Sequence, residues 1–175
     1  NYTLEVTSLA RAQTATSTPV ESSATSLGTG TLTIDIGSWD GDPATFGVMA
    51  GMSSVTIEIG PGESSLAAIR DKINAAGVGV IATVISDATG ARLSIRSTHS
   101  GQDNGFRIQA GVSATGDEGA SLAMLNYDPE NDPENLAGGL SLNQSGANAV
   151  ATLNGVPIES ASNTLADVAD GLTIN

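Results

Sequence analysis

Apolar and polar residues alternate with a period of two through most of this chain. Tyr2, Leu4 and Val6 fall on one side of an extended segment, with Thr3, Glu5 and Thr7 on the other, the signature of a half-buried strand. The rhythm returns at Leu32-Ile34-Ile36, Val55-Ile57-Ile59, Leu93-Ile95 and Phe106-Ile108. Between Val78 and Ile85 apolar residues occupy both phases, which predicts a strand covered on both faces. Asp87-Ala88-Thr89-Gly90 predicts the turn of a hairpin into residues 91–97. Asn154-Gly155, between Leu153 and Val156, is the strongest short hairpin signal, because both central positions of a type I′ turn need positive φ.

Two segments carry the helical period instead. Ser64-Ser65 can cap a helix whose stripe is Leu66, Ile69, Ile73 and Ala76, and Gly77 supplies a left-handed stop. A shorter helix is predicted after Asn163-Thr164, using Leu165 and Val168 and ending at Gly171. Matching Leu66 to Leu165 makes a strand, cap, short helix and strand unit that occurs twice. Residues 38–51, 111–119 and 128–139 read as loops, and residues 12–26 as an extended connector or edge strand. The expected fold class is α+β, mainly antiparallel β, as two small β-rich domains each with a short helix packed on a sheet. Residues 1–26 with 143–175 form the expected outer, discontinuous domain, and residues 27–142 the domain inserted into it. Tyr2 to Val6 should then pair in the same sheet as residues 149–174. The opening and closing segments look like strands cut through, so a fragment of something longer is expected.

Composition narrows the function classes. Ala, Gly, Ser and Thr supply nearly half of the 175 residues and aromatics only 3%, which suits thin β layers better than a deep aromatic pocket. A hydrophobic share of 39% is enough to fold. The net charge of −13 argues against nucleic acid, whose phosphates need clustered Lys and Arg, and against anionic membrane surfaces. All six basic residues lie at or before Arg107, and nine acids follow it with no base among them. No apolar run approaches the ~20 residues of a membrane span, and no signal peptide is visible. No cysteine is present for disulfides or thiolate metal sites.

Candidate chemistry is sparse. His99, the single histidine, has Asp103 and several serines near it in sequence, but no Gly-x-Ser-x-Gly elbow accompanies them, so it reads as a surface-loop residue. Asp128, Glu130, Asp132 and Glu134 crowd a tandem Asp-Pro-Glu-Asn stretch. Calcium accepts such oxygens, yet EF-hand spacing is missing and the prolines favour a solvated, stiff, metal-independent loop. Gly77-Val78-Gly79-Val80-Ile81-Ala82 follows a helix instead of opening one, so it cannot cradle a phosphate, and Lys72 is the only lysine. Trp39 is either a sugar or partner contact or the plug of a small cluster under its own loop. The acids lie in loops, against a two-carboxylate glycosidase. No catalytic, cofactor-binding or metal-ligating set is expected, and the chain does not read as an enzyme.

Three stretches, in order, resemble the filament-capping family of the bacterial flagellum, hook-associated protein type 2. They are residues 2–13 with Gly28-Thr29-Gly30-Thr31-Leu32-Thr33-Ile34, residues 65–80 continued by residues 92–97, and residues 153–158 with 162–174. About half of the chain is covered; residues 35–54 and 111–145 match nothing and read as variable loops. The resemblance implies a structural cap subunit at the filament tip, extracellular and exported through the flagellar channel. There it would assist flagellin to fold and insert. Its implied partners are flagellin and copies of itself in a ring held by helical arms absent from this fragment. The resemblance also admits an alternative, an adhesive module for host glycan or mucin. A head-to-head contact is expected to join the basic face of Arg92 and Arg96 to the acidic loop of Asp128, Glu130, Asp132 and Glu134. The fragment alone is expected to be monomeric.

Overall fold

The computed structural model describes residues 2–169 and 172–174. Strands β1 (Leu4–Ser8), β2 (Thr14–Thr16), β3 (Thr29–Asp40), β4 (Thr45–Val48) and β5 (Val55–Ile59) precede helix α1 (Leu66–Ala76). After it come β6 (Val80–Asp87), β7 (Gly90–Ser97), β8 (Gly105–Ala114), β9 (Ser141–Gln144), β10 (Ala149–Leu153), β11 (Val156–Ser160), β12 (Leu165–Ala169) and β13 (Leu172–Ile174). Every named strand pairing is antiparallel, and among the described residues α1 is the one α-helix. The fold class is therefore α+β with antiparallel β dominant.

A larger body holds two sheets. In one, β3 is central, with β4 and β5 paired to it at its two ends and β8 along it from Thr29↔Ala114 to Gly37↔Gly105. The other runs β6-β7-β2-β9. One contiguous core joins both sheets and α1, with Leu32, Ile34, Ile69, Ile73, Leu93, Ile95 and Phe106 at its centre. The helix begins where its sequence says it should: the Ser65 hydroxyl accepts the Ala68 N–H at 3.1 Å, and Gly77 closes it at φ 61°. Leu66, Ile69 and Ile73 face inward. Asn74 then clamps α1 to β6, donating to the Ala82 carbonyl at 2.9 Å while accepting the Ala82 N–H at 2.8 Å.

A smaller group of strands contains both ends of the chain. β1 pairs with β10 (Leu4↔Leu153, Val6↔Ala151), and β10 with β11 through the Asn154-Gly155 turn, at φ 51° and 81°. β12 and β13 form a separate two-stranded ribbon. The two bodies meet at a polar clasp. Arg11 and Ala147 exchange backbone hydrogen bonds at 2.8 and 3.0 Å there, and within the smaller group Asn163 accepts the Ala10 N–H at 2.7 Å. Gly101 is needed there, because a Cβ on it would sit 2.8 Å from the Cβ of Ala161.

Several expectations give way. Leu165 to Ala169 is a strand and not a helix, so the second helical unit does not form; the expected stop at Gly171 lies outside the described residues. Five residues gain too few internal hydrogen bonds to sustain a helix, and pairing with β13 satisfies the backbone instead. β6 is covered on one face only, with Val80 and Ala82 buried while Ile81 and Ile85 are exposed. The stretch 38–51 is no loop: β3 continues to Asp40 and returns as β4. β8 likewise extends to Ala114, inside the segment read as the loop 111–119. Thr14–Thr16, read as connector or edge, is an interior strand with β7 on one side and β9 on the other.

Candidate functional site

The basic and acidic residues singled out in sequence occupy different kinds of position. Arg92 is held by its own hairpin, donating to the Thr89 hydroxyl at 2.6 Å and to Asp87 at 3.2 Å. Arg96 is exposed on the open face of β7, opposite Ile81 and Thr14. Asp128 is buried, contrary to the solvated-loop expectation, because Gln109 and Asn131 donate to its Oδ2 at 2.8 and 2.7 Å. Asp132 shapes the loop that follows, accepting the Leu136 and Ala137 N–H groups at 2.8 and 2.9 Å. Glu130 and Glu134 are exposed. The tandem stretch is thus a series of self-bonded turns, with its first carboxylate inside. Among the described residues no group of three His, Cys, Asp or Glu side chains could hold a metal ion. His99 is exposed just beyond β7.

The polar centre of the molecule was not singled out in sequence. Asp35 of β3, 1% exposed, faces Arg107 of β8 in direct register. The guanidinium donates to Asp35 Oδ2 through Nε at 3.2 Å and Nη2 at 2.8 Å, while Ser54 donates to Oδ1. Arg107 also lies 3.6 Å from Glu130, with its guanidinium carbon 4.9 Å from the Phe46 ring centroid. An aromatic cluster adjoins this centre. Trp39 packs on Phe46 and Tyr127 at centroid distances of 4.7 and 5.7 Å, and its indole N–H donates to the Phe106 carbonyl at 2.9 Å. Trp39 is therefore packed into a cluster while staying half-buried. Burial pushes the Tyr127 hydroxyl above its ordinary pKa. The signal lay in the sequence as two charges in the polar phase of apolar strands, but only the β3–β8 register makes them partners.

Charges elsewhere sit at the surface. Lys72 binds Glu63 at 2.7 Å and the Glu58 carbonyl at 2.9 Å, and the Lys72 ammonium holds the Glu63 carboxyl below the usual carboxylate range. Asp87 is lowered first by hydrogen bonds from Thr89 and then by Arg92. These are partly exposed ion pairs.

No protein-family model matches the chain. It is 36% identical over 170 residues to flagellar hook-associated protein 2 of Escherichia coli K12, covering 95% of this chain and 32% of that protein. It is 33% identical over 123 residues to the B-type flagellar hook-associated protein 2 of Pseudomonas aeruginosa PAO1, covering 68% and 26%. The crystal structure of the D2-D3 domains of the flagellar cap protein FliD from Escherichia coli matches with a TM-score of 0.75 at 31% identity, covering 94% of this chain and 76% of that one. The chain belongs to the flagellar cap protein family. FliD from Pseudomonas aeruginosa PAO1 has the same fold, with a TM-score of 0.73 at 29% identity over 98% of this chain. The chain spans about a quarter to a third of the length of the curated relatives it matches. The match to the D2-D3 structure covers 94% of this chain, against the half that carries the sequence resemblance.

Proposed function

We propose that this chain is the head portion of a structural, non-enzymatic cap subunit at the distal end of the bacterial flagellar filament. One observation carries this reading: the fold and 31% of the residues are shared with the FliD D2-D3 domains over most of both chains. In this reading the protein acts outside the cell after export through the flagellar channel, and its partners are flagellin and further copies of itself. Cap action then means guiding flagellin to fold and insert, a task that needs shape and modest contacts and no bond chemistry. A chain without cysteine and with few aromatics suits passage through a narrow channel in unfolded form.

Within the head, the proposed outer and inserted domains are best divided near residues 11 and 147, nearer the two ends of the sequence than the expected 26 and 143. The support is that β2, Val20 and Leu27 all pair or pack within the larger body. For head-to-head contact, Arg96 and Glu134 are the candidates best placed, since Arg92 is engaged by its hairpin and Asp128 is buried.

The test is a graft. Replacing the corresponding D2-D3 segment of Escherichia coli FliD with this chain, in a strain lacking its own cap, should restore swimming and stop flagellin leaking into the medium. A stably exported graft that leaves flagellin leaking as in the capless strain rules the reading out.

A further inference from the structure

The outer edges of the sheet β6-β7-β2-β9 are treated differently. Asn74 covers the middle of the β6 edge with two hydrogen bonds to Ala82. β9, the other end, is exposed at all four residues, and its sequence Ser-Leu-Asn-Gln holds no charge and no proline to discourage pairing. Two cavities lie along it. One, of about 260 Å³, is walled by Trp39, Tyr127, Pro129 and Leu142, and no charged residue lines it. The next, of about 310 Å³, shares Tyr127, Pro129 and Leu142 and adds Asp128 and Asp132. The two adjoin at these shared residues as a cleft beside β9, lined also by the flanking residues Leu140, Ser145 and Gly146.

Asp128 supplies a second, independent sign of a missing partner. It is 6% exposed, its Oδ2 is occupied by Gln109 and Asn131, and its buried Oδ1 accepts no hydrogen bond. A buried carboxylate oxygen without a donor is costly, and a cationic donor entering the cleft would relieve it. The Asp132 oxygens are already used by backbone N–H groups.

We propose that this cleft receives an extended segment of another polypeptide as a strand added to β9. A bulky apolar side chain would sit beside Trp39, and a lysine or arginine would reach Asp128. An unpaired edge presents donors and acceptors every ~3.3 Å, the repeat of a polypeptide backbone, and pockets beside the strand then select alternate side chains. The carboxylate, in a chain of charge −13, selects a basic residue. This inference stands independently of the cap reading, because it rests on β9 and Asp128 alone.

Trp39 is the only tryptophan, so its fluorescence reports on the cleft directly. The 175-residue protein is titrated with the acetylated, amidated peptide Ser-Thr-Leu-Thr-Lys-Thr-Ser. A saturable change in Trp39 emission is expected, with shifted amide resonances for Ser141–Gln144. Replacing the peptide lysine by norleucine should weaken binding roughly tenfold, the value of a charge-assisted hydrogen bond. Methylating alternate peptide nitrogens should abolish binding, and Asp128→Asn should bind the lysine and norleucine peptides alike. If that variant does not fold, the lysine-to-norleucine comparison on the wild-type protein decides the charge requirement by itself. Equal affinity for all three peptides would overturn the proposal. So would a Trp39 response to chitotriose with no peptide binding at millimolar concentration.

Discussion

The larger body and the smaller group of strands are both antiparallel and joined by short connections, yet they are held together by different means. The largest fully buried side chains, from Leu27 to Leu125, all belong to the body of β3, α1, β7 and β8. The described strands of the smaller group bury Leu153 and Leu165 together with two alanines, Ala149 and Ala151. That group also carries Tyr2, Val6, Val150 and Val156 exposed, so its strands cover little apolar area for their length. Much of its attachment is polar. Besides the Arg11–Ala147 pair, the Gln102 N–H donates to Asn148 at 2.9 Å and the Ser100 hydroxyl to the Ala161 carbonyl at 2.8 Å. A core of large side chains resists opening as a unit, whereas a thin sheet held by hydrogen bonds at its rim opens locally at lower cost.

The sharpest break of this comparison is a matched pair of truncations. Phe106→Ala, at a fully buried site against Tyr127, should cost about 3–5 kcal/mol and lower the urea midpoint of the whole molecule. Leu153→Ala should cost nearer ~2 kcal/mol, because the thin sheet around it can collapse into the space. Hydrogen exchange separates the two cases: Leu153→Ala should speed exchange in β10 and β11 and leave β7 protected. Equal acceleration in β7 would mean that the two bodies unfold as one.

Second in size is Asp35→Asn. It leaves the Arg107 guanidinium against a neutral amide in the middle of β3 and β8, with Glu130 at 3.6 Å as its remaining anion. Because Arg107 is 17% exposed and keeps that second partner, the expected loss is about 2 kcal/mol, below the range for a fully buried broken pair. Urea unfolding measures it, and a loss under ~0.5 kcal/mol would place this pair with ordinary surface ion pairs.

What could be read from sequence divides along the same line. Helix α1, its Ser65 cap and its Gly77 stop were legible because each is a local signal within a dozen residues. So were the hairpins at Asp87 to Gly90 and at Asn154-Gly155, and the strands whose alternation faces one core. Leu165 and Val168 misled because a spacing of three fits a helix, and only the partner strand after Gly171 makes them a ribbon. Ile81 and Ile85 suggested burial on both faces, but both are exposed on the outer face of β6. Asp35 with Arg107, and the burial of Asp128 by Gln109, depend on residues 72 and 19 positions apart. No local pattern encodes such contacts, and of these residues Asp128 is the one that lines the cleft beside β9.

The smallest expected effect concerns acid, and it sharpens the comparison by touching the larger body alone. Glu63, just before α1, is held below its ordinary value of 4.5, first by the hydrogen bond from Lys72 and then by the charge of Lys72. A carboxyl with a lowered folded-state pKa favours folding when it is ionised. Its contribution is complete above the unfolded value of 4.5 and is lost as pH falls through the lowered folded value. Glu63→Gln should therefore melt slightly below the wild type near neutral pH, and the two curves should converge as the solution is acidified past that window. The pair is open to solvent, so 1 M salt should shrink the difference at neutral pH as well. Exchange in β10 and β11 should not respond to this substitution at any pH, since Glu63 and Lys72 contact α1 and β5 and not the smaller group. A matching response there would show that the polar clasp at Arg11 and Ala147 transmits stability between the two bodies.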